Sequence, residues 1–168
     1  MNTAICPGSF DPITLGHLNI IRRASKLFDR VVVCIMFNST KTSPMFTIDE
    51  RVEMVKKVVA KYKNVEVDTS EILLAEFAKN KYPGAVLVKG LRAASDFEYE
   101  FQMDLINKKI APELETMFLT SSEKYTFLSS SVVREMARYS ADLSGLVPNE
   151  IIDDIEQKAR IWRLEDGK

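Results

Sequence analysis

One histidine, one tryptophan, two cysteines and six glycines in 168 residues make a chain poor in the side chains that most often mark a site. Cys6 and Cys34 lie in apolar, strand-like runs without CxxC spacing, which argues against a disulfide framework or a zinc site and for buried free thiols in a reducing compartment. No basic segment followed by an apolar core opens the chain, and no apolar run approaches the ~18 residues of a membrane span. A soluble, cytoplasmic protein with no membrane partner is therefore expected. Charge of one sign is missing as well: 23 basic and 24 acidic residues leave a net −1, which excludes a global nucleic-acid surface and makes any anion site local. With no internal repeat, low-complexity tract or linker, residues 1–168 read as a single domain, and a hydrophobic content of 46% is enough for its core.

What is present is alternation. Thr3–Cys6, Val31–Phe37, Val65–Val67, Ala85–Val88 and Thr116–Leu119 have strand length and composition, and the unbroken apolar run Val31–Phe37 predicts a central strand covered on both faces. Helical periodicity follows each strand: Leu18–Ala24, a helix opened by the capping-box spacing Thr47-x-x-Glu50 and running to about Tyr62, Leu73–Lys81 with Leu74, Phe77 and Ala78 inward, Ser95–Lys109, and Ser131–Tyr139. A closing helix spans about 148–164, with Pro148 near its first position. Alternating strands and helices predict an α/β fold: a single-domain, Rossmann-like, doubly wound parallel five-stranded sheet with helices on both faces. In such a sheet ligands bind beyond the carboxyl ends of the strands, near the reversal of strand order. The segments Gly8–His17, Asn38–Pro44, Lys89–Arg92 and Thr120–Ser131 all follow strands and are expected to converge there.

Three of these segments have the chemistry of a phosphate site. Gly8-Ser9-Phe10-Asp11-Pro12-Ile13-Thr14-Leu15-Gly16-His17 joins a buried strand to a helix, so that backbone N–H groups and the positive helix end face an anion. It lacks the Gly-Lys-Ser/Thr of a triphosphatase loop and the Gly-x-Gly-x-x-Gly of a dinucleotide site. Lys89-Gly90-Leu91-Arg92 sets two cations beside a glycine, and Ser129-Ser130-Ser131 puts hydroxyls and backbone donors at a helix start. Each also has a plain structural reading: His17 as a cap or packing group, the Lys-Gly-Leu-Arg segment as a solvated turn, one of the serines as an N-cap. Asp96, Glu98 and Glu100 do not make a convincing metal cage, because Glu98 and Glu100, two apart, diverge on a helix.

Thr14-x-Gly16-His17 resembles the signature of the nucleotidylyltransferase superfamily. Together with Pro44-Met45-Phe46-Thr47, Glu50-Arg51, Gly90-Leu91-Arg92, Asp96-Phe97-Glu98-Tyr99-Glu100, Pro112-Glu113-Leu114-Glu115 and the serine triplet, the chain to about Pro148 resembles the phosphopantetheine adenylyltransferase family. The resemblance implies adenylyl transfer from ATP to 4′-phosphopantetheine, giving dephospho-coenzyme A and pyrophosphate. It implies catalytic roles for His17, Lys41 and Arg92, and acceptor binding by Ser9, Lys41, Leu73, Leu74, Lys89 and Asn107. ATP contacts are implied for Ser9, Phe10, His17, Gly90, Arg92, Glu100, Tyr125 and Ser129, Ser130 and Ser131, with Tyr125 shielding the nucleotide from the loop Ser121–Thr126. Mg2+ held mainly through the ATP phosphates, a homohexamer of two trimers, and feedback binding of coenzyme A at the acceptor site are implied too. The chain departs from the family at Thr42-Ser43-Pro44, where a second lysine often precedes the proline, and at Lys89, where arginine is usual and a point charge replaces a bidentate fork. The alternatives are another adenylyl- or cytidylyltransferase of the superfamily, or a catalytically silent nucleotide sensor.

Overall fold

The strand Thr3–Gly8 (β1) lies at the centre of a five-stranded, all-parallel sheet ordered β3-β2-β1-β4-β5, formed with Arg30–Met36 (β2), Val65–Ser70 (β3), Val86–Leu91 (β4) and Glu115–Thr120 (β5). This computed structural model describes residues 2–37 and 44–166, with side chains to 164. The apolar run of β2 is buried from Val31 to Ile35, as two-sided covering demands, but the strand lies one place from the centre, which β1 takes. β3 is longer than its short apolar alternation indicates, since Asp68–Ser70 continue the ladder on β2 as far as Met36–Ser70.

Alternation along the strands divides the apolar side chains between two cores. Ala4, Cys6, Val31, Val33 and Ile35 face one way, under Leu15–Leu27 (α1), Ile48–Val59 (α2), Ser130–Arg138 (α5) and Ile152–Asp166 (α6). Ile5, Val32, Cys34 and Leu87 face the other, under Leu74–Lys81 (α3) and the end of Ala94–Ile110 (α4). α3 buries Ala75, Phe77 and Ala78, Leu74 packs half-buried against the same core, and Leu73 stands exposed before the first turn. Pro148 precedes a 3-10 turn, Asn149–Ile151, and the α-helix proper starts at Ile152. Both expected thiols are free and buried, and burial pushes each up to about 12. No described helix is long and apolar enough to cross a membrane.

The chain runs outward from β1 through β2 to β3, then crosses back to place β4 on the other side of β1. β1 stays paired with β2 as far as Gly8–Ile35, but its ladder with β4 stops at Ile5–Leu87. The sheet therefore opens between its two middle strands, at the switch point where ligands of such folds bind.

A polar cluster fastens the edge strand β3 to the end of α3. Tyr82 Oη donates to Asp68 Oδ2 at 2.7 Å, Lys81 Nζ lies 2.5 Å from the same oxygen, and the Arg30 guanidinium sits 5.0 Å from the Tyr82 ring centre. Burial alone would raise Asp68, but the Lys81 and Tyr82 hydrogen bonds outweigh it and hold the carboxyl below its ordinary range. Its stabilisation is then complete above ~4 and is lost as the pH falls through the lowered folded-state value. Asp68→Asn should cost about 1–2 kcal/mol at pH 7 in urea unfolding. The gap from the parent should close below pH 4; a gap that persists there would remove the carboxylate from this account.

Candidate active site at the carboxyl edge of the sheet

A cleft of about 1210 Å³ occupies this opening. The segment after β1 sends Ser9, Phe10 and His17 into its wall; β4, the turn after it and α4 supply Lys89, Gly90, Arg92, Glu100 and Asn107. Leu73 and Leu74 come from the start of α3, and Tyr125, Ser129, Ser130 and Ser131 from the segment after β5. Every expected site residue within the described chain thus lines one cavity. Lys41 falls outside the described residues.

His17 has a structural duty there. As the third residue of α1 it completes a capping box: its backbone N–H donates to Thr14 Oγ1 at 3.3 Å, and its Nδ1 accepts from the Thr14 backbone N–H at 3.0 Å. A nitrogen that accepts from an amide carries no proton, so the proton of the neutral ring is on Nε2. Phe10, buried with φ +45°, meets the imidazole edge to face at 5.1 Å. Gly8 makes room for this ring, since a Cβ there would stand 3.0 Å from it. Gly90 has a similar reason: its Cβ would lie 2.8 Å from Ile20 Cγ1, where β4 runs close under α1.

Asp11 is the residue for which the sequence reading had no role. Its carboxylate is 1% exposed and accepts from the backbone N–H groups of Met45 and Phe46 at 3.1 and 2.9 Å. Arg51 Nε lies 3.5 Å and Arg134 Nη1 3.6 Å from it; Arg51 also donates to the carbonyls of Phe46 and Ser9, and Arg134 to that of Asp11. The available signal was Arg51, which shares the inward face of α2 with Val55 and Val58 and so needs a buried acid.

The hydroxyls of the serine triplet are engaged in holding the wall together. Ser129 Oγ caps α5 by accepting from Val132 N–H, Ser130 Oγ donates to the Pro12 carbonyl at 2.8 Å, and Ser131 Oγ accepts from Arg134. What this turn aims at the cleft is the positive end of α5. The segment with Tyr125 is a 3-10 turn, Glu123–Tyr125, braced by Ser122 Oγ to Asn19 and by Arg23 to the Thr120 carbonyl. Deeper along α4 the wall carries Met103, Ile106 and Ile110 around Asn107, whose buried Nδ2 has no partner among the described residues and so offers a donor to a ligand.

The cations in and just after β4 are paired. Lys89 Nζ contacts Glu100 Oε2, and Arg92 meets Asp96 through Nε at 3.1 Å and the Leu128 carbonyl through Nη1 at 2.9 Å. Among the described residues no three His, Cys, Asp or Glu side chains are grouped to hold a metal ion.

A cytidylyltransferase-like family model matches residues 5–136. A phosphopantetheine adenylyltransferase of Clostridium botulinum strain Hall is 51% identical over 158 residues, covering 94% of this chain and 95% of the relative. That of Alkaliphilus metalliredigens is 49% identical over 160 residues, covering 95% of this chain and 100% of the relative. A solved Vibrio parahaemolyticus structure, provisionally described as a nicotinate-nucleotide adenylyltransferase, superposes with a TM-score of 0.69 at 20% identity over 97% of this chain and 96% of the other, a likeness of fold.

The Asp11 cluster makes a direct prediction. Asp11→Ala strips two amides and two guanidinium groups of their common acceptor, and should cost about 3–5 kcal/mol in denaturant unfolding. A loss under ~1 kcal/mol would show that the loops are held by other contacts.

Proposed function

The chain belongs to the cytidylyltransferase-like family and within it to the phosphopantetheine adenylyltransferases, and on that premise we propose how the residues of its cleft divide the work. The reaction joins ATP and 4′-phosphopantetheine to give dephospho-coenzyme A and pyrophosphate, the penultimate step of coenzyme A synthesis. A phosphate oxygen of the acceptor attacks the α-phosphorus in line; the new O–P bond forms as the bond to the β-phosphate oxygen breaks and pyrophosphate leaves. A phosphate dianion is already a competent nucleophile, so the protein's task is to hold two anions together and to stabilise charge on the transferring group.

His17 hydrogen-bonds the α-phosphate through Nε2–H. The observation that carries this reading is the Thr14 N–H donating to Nδ1, which fixes the proton-bearing nitrogen. Arg92 holds the ATP phosphates, with Gly90, Phe10, Tyr125 and the start of α5 at Ser129, Ser130 and Ser131 completing the nucleotide side; Glu100, for which the resemblance implies an ATP contact, is engaged by Lys89. Ser9 orients the acceptor phosphate, and Lys89 and Lys41 neutralise it. Leu73 and Leu74 line the pantetheine arm, a role supported by their position in the cleft wall, and the Asn107 Nδ2, which has no partner among the described residues, suits an amide carbonyl of that arm. Mg2+ entering with the triphosphate would be held by the substrate's own oxygens and would supply charge neutralisation there, because Asp96 and Glu100, the carboxylates beside the phosphate-binding cations, already pair with Arg92 and Lys89.

The cytoplasm supplies both substrates, and coenzyme A acts as a feedback ligand of the acceptor site. The protein assembles as a homohexamer of two trimers. Supporting this, α4 exposes Phe97, Phe101, Leu105 and Ile106, and β5 is an edge strand that exposes Met117.

Pyrophosphate release with ATP and 4′-phosphopantetheine is the direct test, and none released would reject the assignment. His17→Ala should lower kcat ~100–1,000-fold, and His17→Asn nearly as much, although asparagine can still accept from the Thr14 amide. A loss below ~10-fold in either would leave His17 only its capping role. Arg92→Ala should raise the KM for ATP about tenfold or more; unchanged ATP kinetics would reject its role.

A further inference from the structure

The two cations at the end of β4, Lys89 within it and Arg92 just after it, are held by two carboxylates that share one face of one helix. Asp96 and Glu100 are four residues apart on α4, one turn above the other. Asp96 takes Nε of Arg92 at 3.1 Å and Nη2 at 3.4 Å, and its Oδ2 also accepts the Arg92 backbone N–H at 3.1 Å. With Nη1 on the Leu128 carbonyl, three of the five guanidinium N–H groups are engaged among the described residues. One N–H remains on each terminal nitrogen, the fork that a phosphate accepts. Glu100 contacts the Lys89 ammonium, whose side chain is 14% exposed, and leaves it two further donors.

We propose that Asp96 and Glu100 are positioning residues, each aiming one cation and thereby governing a different substrate. Asp96 presents the fork of Arg92 to the ATP phosphates, and Glu100 fixes Lys89 for the acceptor phosphate. This rests on the reading in which Lys89 receives the acceptor and Arg92 the nucleotide. The need is greatest at Lys89, because a lysine has a flexible four-carbon stem and a point charge where arginine carries its own fixed fork. Glu100 thus acts on the acceptor side of the cleft, through Lys89. Asp96 is suited to a permanent charge: burial alone would raise it, but the Arg92 hydrogen bonds keep it below the ordinary carboxylate range.

The test is steady-state kinetics with each substrate varied in turn, on variants whose melting curves match the parent. E100Q should raise the KM for 4′-phosphopantetheine about tenfold and leave that for ATP within about twofold, while D96N should do the reverse. E100D, which keeps the charge, should recover part of the loss. In a K89M background E100Q should add nothing, because its effect passes through the lysine. A rise in the ATP KM for E100Q with the acceptor KM unmoved, equal rises in both, or full additivity with K89M would overturn the proposal. If K89M itself leaves the acceptor KM unchanged, the assignment of Lys89 fails. That result is distinct from failure of the positioning role, in which K89M raises the acceptor KM and E100Q does not.

Discussion

The buried carboxylate of Asp11 is the constraint on which the cleft depends. Isolated in the interior it would be costly, and its position is tolerated because two backbone amides and two arginines converge on it. Those partners come from different parts of the chain: Met45 and Phe46 before α2, Arg51 in its first turn and Arg134 in α5. Asp11 itself lies between β1 and α1. A single charge therefore ties three segments that have no covalent reason to meet, and both Ser9 and the serine triplet are held through it, Ser9 by its carbonyl on Arg51 and Ser131 by its hydroxyl on Arg134. A hydrophobic contact of the same area would hold the segments together without fixing their register.

How much of this was legible in the sequence follows from the range of each interaction. Local signals were read correctly where they are self-contained. The Thr47 and Glu50 box starts α2, the serines start α5, and the strand and helix alternation gives the parallel doubly wound sheet. Signals that depend on a distant partner were weaker. Val31–Ile35 announces two-sided burial but cannot say which strand lies in the middle, because β1 is shorter in apolar residues and owes its place to the crossover that returns β4 beside it. Leu74, Phe77 and Ala78 turn inward on α3 as periodicity expects, Leu74 only half-buried, and Ala75 joins them in the core. The site residues were found because they follow strand ends or match a family motif. Asp11, Arg51 and Arg134 are spread over more than a hundred residues, and no local pattern joins them.

The same limit explains the serine triplet. Three adjacent hydroxyls at a helix start suggest donors to a ligand, but their partners are Val132, Pro12 and Arg134. These bonds pin the first turn of α5, whose backbone and positive dipole end face the cleft. α4 shows the converse. Its apolar residues do not segregate to one face, and only Asn107 is fully buried, so packing against the sheet accounts for little of its sequence. Its two ends answer to different demands, a pair of carboxylates facing the cleft at the start and Ile110 on the sheet at the end.

His17 shows why structural and chemical readings of one residue need not compete. An imidazole free to choose its tautomer would present either a donor or an acceptor to a phosphate, and only the donor is useful against developing negative charge. Capping α1 removes the choice. Thr14 N–H occupies Nδ1, the ring is held edge to face against Phe10, and the proton is confined to Nε2. The hydrogen bond that starts the helix is also the one that sets the polarity of the group in the cleft. The strained backbone of Phe10, at φ +45°, sits next to the residue whose carboxylate locks the loop. Gly8 to His17 thus serve the fold and the cleft at once, starting α1 and anchoring the loop with the same groups that line the site.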